Sequence, residues 1–441
     1  MSAIPAAVDT DSQPPMAIPL AHFAVALGFL VAGGGVAVAE VLDVAPGWAT
    51  LAHVHLLLAG WICLTIMGAM TQFVPVWSGV SLYSMRLAKA QLALATVGLA
   101  GFAWALLASA PMWIHGFGAL LLAGFWTLAY NVGRTLWRAR PLDVTERHFA
   151  LALGFFVVLT AFGFVLAMDL ALPVLPRWGV THPELLGAHA TLAVYGAVLT
   201  TVVGALYQLA TMFTQSDLRG IDYPLQRFET VAYPLGVVLL ATGRLLSHVL
   251  VARVGAALVL ASLFGFGIVV LRRLVETKAD WNAMLTRYAV AAVALPLWVL
   301  VSAPSWLARP LSLTTLFGPP GSVHLLLVGV VGMVVAGTLY HVVPFIVWVE
   351  RYSDRLGLEV VPMIDDLYDD RLATADFAAF VVGTALLVAR ESLGATALVG
   401  TAGTAFLFVG LLAFAANLAL VLHRHVGWSI TDVVAGPPPD A

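Results

Sequence analysis

The sequence predicts an all-α polytopic membrane protein with twelve transmembrane helices in three pseudo-symmetric four-helix arcs. Three observations lead to this fold class. The 441 residues are 61% hydrophobic and only 10% charged, with a mean hydropathy of +0.96, whereas a soluble domain carries about 25% charged residues. Twelve apolar runs are long enough to cross a bilayer, which takes about 20 residues. A short motif also occurs three times at nearly one period, and such repeats indicate equivalent building blocks.

The predicted spans follow one another with short connections, and four of them make up each repeat. The N-terminal residues lack a basic region before the first apolar run, so they are expected to be a short cytoplasmic tail rather than a cleaved signal. The spans are 18–40, 50–77, 87–109, 112–135, 148–171, 185–214, 228–250, 252–273, 286–306, 321–349, 373–390 and 395–422. The predicted units are the tail 1–17, the arcs 18–147, 148–283 and 284–425, and a disordered C-terminal tail 426–441.

The repeated motif places a histidine near the start of the second span of each arc and a glycine further along the same span. The glycines of successive arcs are 136 and 133 residues apart, and the first and third histidines precede their glycines by the same 13 residues. The second histidine precedes its glycine by 15 residues, as His53 does in the first arc. The motifs run from His53-Val-His55 to Gly68, from His189 to Gly204 and from His324 to Gly337.

Basic residues give the orientation. Sixteen of the 21 Lys and Arg residues lie in or beside the connections that follow even-numbered spans, or in the C-terminal tail. The positive-inside rule then predicts that both termini are cytoplasmic, and His53, His55, His189 and His324 share one level near the outer face. The chain has 19 Arg and 2 Lys together with abundant Ala and Val, which indicates a GC-rich prokaryotic gene and hence a prokaryotic plasma membrane.

Charge and cysteine content exclude several function classes. The net charge of −3 does not favour a nucleic-acid partner, so membrane lipid is the expected surrounding. The single cysteine, Cys63, excludes an intrachain disulfide and a thiolate cluster. No run of acidic or hydroxyl residues leads from the inner face to the histidines, so a proton pump is not expected. Near the inner helix ends, Glu229, Asp376, Tyr340 and His341 are expected at the membrane interface.

The four histidines at membrane depth are the candidate site residues. Ionisable groups at this depth are functional candidates by default, and neutral imidazole is a good ligand for iron, copper and zinc. A haem inside a helical bundle takes axial histidines from facing helices at matching depth. Because His55 and His324 have the same register in spans 2 and 10, we expect one haem to bridge them. His53 and His189 are further candidate ligands of haem iron.

The motif resembles one in a known family. Residues His53-Val-His55-Leu56, Gly60-Trp61, Val74-Pro75 and Leu82-Tyr83-Ser84 are similar to the tenth helix of the C-type oxidases, in subunit I of the haem-copper oxygen reductases and nitric oxide reductases. The resemblance implies twelve helices in three arcs and one or two haems, expected to be haem b. It gives His53 the role of proximal ligand to a high-spin haem and His55 that of ligand to a low-spin haem. The candidate partners are other respiratory subunits or a separate electron donor.

The departures from the family concern its copper. The family holds copper with three histidines, one on helix 6 and an adjacent pair at helix 7. The chain has His189 on span 6, but only His248 near the end of span 7, and no His-His pair. An incomplete ligand set is not expected to hold copper. The histidine pair also lies on span 2 here, so the arcs are permuted relative to the family.

Two arginines are candidate partners for haem propionates, because guanidinium pairs bidentately with carboxylate. Arg244 lies towards the outer end of span 7, and Arg390 lies at the outer turn between spans 11 and 12. The alternative is that each extends to the membrane interface, or that Arg390 is engaged locally beside Glu391. Tyr195 is expected to be a hydrogen-bonded packing residue.

The sequence therefore favours a haem-binding membrane protein that works in electron transfer, or in binding or reducing a small gas such as NO or O2, without a complete copper centre. Whether it is an oxidoreductase stays open. One alternative is a metal-free scaffold or assembly subunit that kept the fold. The other is a transporter, although most transporters use two-fold repeats with broken helices near the midplane. A haem absorption spectrum separates the first hypothesis from the other two.

Overall fold

Twelve long helices make up most of residues 13–427, the part of the chain that this computed structural model describes. Eleven are long and apolar enough to cross a membrane, which confirms the prediction of an all-α multi-span membrane protein. The remaining one, α7, is less apolar because it carries charged residues such as Glu229 and Arg244. The helices are α1 (Ala17–Val41), α2 (Ala49–Ser78), α3 (Met85–Leu107), α4 (Pro111–Arg138), α5 (Val144–Asp169), α6 (His182–Thr214), α7 (Asp222–Leu245), α8 (Val249–Val275), α9 (Ala283–Ala308), α10 (Ser322–Arg351), α11 (Asp370–Ser392) and α12 (Ala397–Val426).

Polar residues in the connections fix where several helices begin. α5 begins with a capping box, in which Asp143 Oδ1 accepts from Glu146 N at 2.7 Å and Glu146 Oε2 accepts from Asp143 N at 3.0 Å. Glu184 Oε2 likewise accepts from Thr181 N at 2.8 Å at the start of α6. Such caps satisfy the free amides of a first turn. The predicted tails 1–17 and 426–441 lie largely outside the described residues.

Three helices, α2, α6 and α10, form the centre of the bundle. Within their most apolar stretches 67%, 83% and 67% of residues are buried, against 22–61% in the other eight apolar helices. Each central helix packs against three others: α2 against α1, α3 and α4, α6 against α5, α7 and α8, and α10 against α9, α11 and α12. The other nine helices form a closed ring, since α4 contacts α5, α8 contacts α9, and α12 returns to α1.

Each central helix changes its hydrogen-bonding pattern just after its histidine. The backbone is π-helical over Leu56–Cys63 in α2, Leu192–Val198 in α6 and Leu327–Gly332 in α10. Short π-helical segments within α-helices are rare and frequently occur at functional sites. Below, the end of the bundle at which α2, α6 and α10 begin is called the histidine end.

The repeated glycines allow close contact between the first and second helix of each repeat. A Cβ atom at any of the three would lie 2.4–3.2 Å from the Cβ of a polar residue on the neighbouring helix. Since real Cβ contacts are longer, the glycines hold these helices together at short range. The pairs are Gly68 with His22, Gly204 with His148, and Gly337 with Arg287.

Gly204→Ala is expected to destabilise the protein by about 1–3 kcal/mol, the usual cost of overpacking, because the new Cβ would lie 2.4 Å from His148 Cβ. Gly154→Ala on α5 is the control, since a Cβ there meets nothing within 4 Å. Cys63 is buried and is the only cysteine of the chain, so a thiol-specific dye can follow thermal unfolding. Equal unfolding temperatures for the two variants would contradict the close packing at Gly204.

Buried polar clusters lie beside the repeated glycines. In the second repeat, His148 Nε2 lies 3.2 Å from Glu229 Oε1, and Tyr207 Oη donates to Glu229 Oε2 at 3.1 Å. In the third, Arg287 forms an ion pair with Asp376, to which Tyr340 also donates. In the first, His22 Nε2 lies 3.3 Å from the Gln91 amide.

Glu229, Asp376 and Tyr340, predicted at the membrane interface, are buried between helices and not exposed at the protein surface. The two carboxylates are 0% exposed and Tyr340 is 1% exposed. Helices α7 and α11 begin earlier than predicted, at Asp222 and Asp370, so both carboxylates lie well inside their helices. The neighbouring His341 is half-buried, with its ring 4.4 Å from that of Phe213.

Candidate functional site

Two cavities at the histidine end are each lined by two histidines from different central helices. The α2–α10 cavity, of about 340 Å³, is lined by His53 and His324 and walled by α1, α2, α10, α11 and α12. The α2–α6 cavity, of about 250 Å³, is lined by His55 and His189 and walled mainly by α2, α4, α5 and α6. Aliphatic and aromatic side chains form most of both walls.

Backbone carbonyls fix the tautomer of three of these histidines. His53 Nδ1 lies 2.9 Å from Gly33 O, and His55 Nδ1 lies 2.8 Å from Leu51 O. His189 Nδ1 lies 2.9 Å from Leu159 O. A carbonyl oxygen can only accept, so Nδ1 carries the proton in each ring and Nε2 keeps its lone pair. The same arrangement orients metal-ligating histidines, whose second nitrogen is typically hydrogen-bonded.

A glycine leaves room for the histidine of α6. At Gly163 on α5 a Cβ atom would lie 2.8 Å from His189 Cε1, so even alanine would displace the imidazole. On the other side of the cavity, the His55 ring lies 5.0 Å from the Phe102 ring. The rings of His55 and His189 are close enough to interact electrostatically.

The structure does not bring His55 and His324, the expected haem pair, into one cavity, because His324 shares its cavity with His53. The reason is helical geometry. Residues two apart lie about 200° from each other around a helix, so His53 and His55 face opposite sides of α2. The common register of His55 and His324 indicates equal depth but not the same side. His53 and His55 therefore line separate cavities.

Two residues at the end of α11 complete the α2–α10 cavity. Arg390 lines the cavity and donates from Nη1 to Ala395 O at 2.8 Å. Its side chain lies over Gly400, where a Cβ atom would be 3.2 Å from Arg390 Cγ. Glu391 Oε2 accepts from Gly321 N at 2.7 Å and lies 3.6 Å from His324 Nδ1. Sequence reasoning missed Glu391 as a site residue, since only the fold brings it to His324.

Arg244 lines neither cavity. Its Nε donates to Pro310 O at 3.0 Å, its Nη1 donates to Thr191 Oγ1 at 2.6 Å, and its guanidinium lies 5.3 Å from the Trp306 ring. These contacts hold the buried side chain beside α6. Of the two predicted propionate partners, the structure brings only Arg390 into a histidine-lined cavity.

Aromatic side chains fill the space between α6, α9 and the start of α10. The Tyr195 ring lies 5.8 Å from Trp298 and 5.0 Å from Trp306. Its hydroxyl donates to Leu316 O at 3.1 Å, which confirms the prediction of a hydrogen-bonded packing residue. His248 is exposed between α7 and α8, where its Nδ1 accepts from Val251 N at 3.3 Å, and it does not line the cavity of His189.

The described residues offer histidines in pairs rather than larger ligand groups. Within 13–427, no set of three or more His, Cys, Asp or Glu side chains is placed to hold a metal ion. The chain matches no protein-family model, and no curated protein matches its sequence. The chemistry of the two cavities therefore has to carry any functional assignment.

Proposed function

We propose that the protein is a haem-binding integral membrane protein that works in electron transfer, with a second site for electron transfer or for binding or reducing a small gas such as NO or O2. The proposal includes three four-helix arcs like those of the haem-copper oxidase subunit I superfamily, without a complete copper centre. The observation that carries it is the pair of histidines in each of two cavities. Each pair comes from different central helices, as axial ligation of a haem requires.

The residues of the α2–α10 cavity fit a haem in several respects. His53 Nε2 is free to bind iron because Nδ1 is engaged with Gly33 O. The volume of the α2–α10 cavity, about 340 Å³, falls within the usual range for cofactor sites, about 300–1,000 Å³. Arg390 supplies a cation for a propionate. Trp61 Nε1, a buried donor in a residue of the cavity wall, has no hydrogen-bond partner in the described structure.

Haem bound in these cavities would supply one-electron redox chemistry. In the α2–α10 cavity, His53 and His324 would hold the haem, and a haem held by two histidines would favour electron transfer over ligand binding. Arg390 would orient the cofactor, and the apolar walls would exclude water. In the α2–α6 cavity, His55 and His189 offer the second pair. If only one of these two histidines held the haem, the α2–α6 cavity would keep space beside the other for a small apolar gas.

We place the protein in a prokaryotic plasma membrane with both termini cytoplasmic. The excess of Lys and Arg beside the connections after even-numbered helices supports this orientation. The histidine end would then lie at the outer face, and a respiratory subunit or soluble donor on that side could deliver electrons.

The direct test is the visible spectrum of the purified protein, reduced with dithionite, minus that of the oxidised protein. The protein should be expressed with ample haem supply. We expect a b-type α band and a Soret band, with up to two haems per chain. Absence of both bands in the wild-type protein would sink the haem proposal and favour the metal-free scaffold or the transporter.

Glu391→Gln is expected to raise the midpoint potential of one haem only, the one between His53 and His324. The carboxylate near His324 would stabilise the more positive, oxidised state of a haem held there, and outer-shell partners of metal ligands typically change metal affinity tenfold or more. Tenfold corresponds to about 59 mV for one electron. Redox titration measures the shift, with Glu184→Gln as a control that lines neither cavity. An unchanged potential in Glu391→Gln would contradict the role of Glu391.

A further inference from the structure

A groove between α4 and α5, at the end of the bundle opposite the histidines, is unrelated to the two histidine cavities. It has a volume of about 280 Å³ and mainly apolar walls, with Trp137 and Arg140 as its largest polar-tipped side chains. α4 is the least buried of the apolar helices, with 22% of its most apolar stretch buried. The groove therefore faces the lipid phase along a helix that the protein itself covers least.

Two glycines keep the groove open. Gly133 on α4 and Gly154 on α5 both line it, and a Cβ atom at either would meet nothing within 4 Å. α4 and α5 pack against each other, yet they leave an apolar channel here. The channel has room for larger side chains at Gly133 and Gly154.

Arg140 supplies a positive charge to the groove. Its guanidinium lies 3.7 Å from the ring centroid of Trp137, which is 64% exposed. No carboxylate of the described residues lies within 4.0 Å of it. The nearest acidic residues in sequence, Asp143 and Glu146, cap the start of α5 through each other's amides. The groove thus combines apolar walls with one cation and one amphipathic ring.

We propose that this groove binds a phospholipid with an anionic head group. Its acyl chain lies between α4 and α5 beside the two glycines, and its phosphate is held by Arg140, whose fork of N–H donors matches phosphate oxygens. Trp137 lies where tryptophan is favoured, at the level of the head groups. Basic pockets between transmembrane helices recognise anionic lipids by the same combination of contacts. The inference does not depend on haem binding.

The test is native mass spectrometry of the delipidated full-length protein, titrated with phosphatidylglycerol or phosphatidylcholine of the same acyl chains. We expect one phosphatidylglycerol to bind more tightly than phosphatidylcholine. Arg140→Gln should weaken phosphatidylglycerol binding about fivefold, the contribution of one basic residue near an anionic lipid, and weaken phosphatidylcholine less, because the choline cation offsets the charge of the phosphate that both lipids carry. Gly133→Leu, which fills the groove, should weaken both lipids.

Two control variants separate this site from general effects. Arg253→Gln removes the same charge on α8, which is outside the groove, and Gly116→Leu adds the same side chain on α4 where a Cβ also meets nothing within 4 Å. Both should bind phosphatidylglycerol like the wild-type protein. The proposal is overturned if the wild type does not prefer phosphatidylglycerol, or if Arg140→Gln and Gly133→Leu bind it as their controls do.

Discussion

Replacing His53 or His324 by alanine is expected to remove the same haem from the purified protein, about half of the total if both cavities are filled. Each imidazole is one of the two that line the α2–α10 cavity, and a haem held there by both would be released or bound more weakly when one is lost. His55→Ala and His189→Ala should both affect the other haem. The four variants should therefore fall into two pairs in pyridine-haemochrome content and in the reduced α band.

Two measurements distinguish the loss of an imidazole ligand from misfolding of the variant. His324→Gly should recover its α band when free imidazole is added, because the small ligand can enter the space left by the side chain. His341→Ala, a histidine of the same helix far from both cavities, should retain all haem. If His55→Ala and His324→Ala lose the same haem, the pairing that the cavities indicate is incorrect.

Asp376→Ala is expected to destabilise the protein by about 3–5 kcal/mol, the typical cost of breaking a buried ion pair from one side. The carboxylate is fully buried, pairs with Arg287, and accepts from Tyr340. Without it the guanidinium keeps its hydrogen bonds to Ala283 O and Ala373 O and its contacts with the rings of Tyr340 and Phe377, but none of these carries a negative charge. Unfolding in mixed micelles with increasing SDS fraction, followed at Cys63, measures the loss.

The double variant Arg287→Met with Asp376→Leu is the informative comparison. Because it removes both charges and keeps apolar volume, it should be considerably more stable than Asp376→Ala. A double variant as unstable as the single one would mean that side-chain packing, and not the unpaired charge, accounts for the destabilisation.

The course of the chain could be predicted because apolar runs and polar connections follow directly from composition. The largest error is the start of α7, predicted at 228 and found at Asp222. The predicted spans leave Asp222 in the connection between 214 and 228. In the structure Arg272 and Arg273 neutralise it, with Nε and Nη2 each 2.8 Å from its oxygens. Charge compensation between helices is not visible in a local sequence window.

The candidate histidines could also be predicted, because the repeat makes their depth comparable. Their pairing could not, since depth does not specify the side of a helix, and His53 and His55 face opposite ways. The position of Glu391 beside His324 could not be predicted from the sequence, for a similar reason. It lies at the end of α11 and meets Gly321 and His324 only because α10 and α11 pack together.

The π-helical segments of α2, α6 and α10 separate each central helix into two parts. Each segment widens the turn by one residue, so the angular phase of the histidine-bearing part is offset from that of the glycine-bearing part. The glycine-bearing part must keep its glycine against the neighbouring helix. The histidine-bearing part can be rotated by inserting or deleting one residue in the π-helical segment. A one-residue indel here would therefore turn the histidine-bearing part by about 100° and leave the glycine contacts in place, which offers an evolutionary route to rearranged histidine-lined cavities on one scaffold.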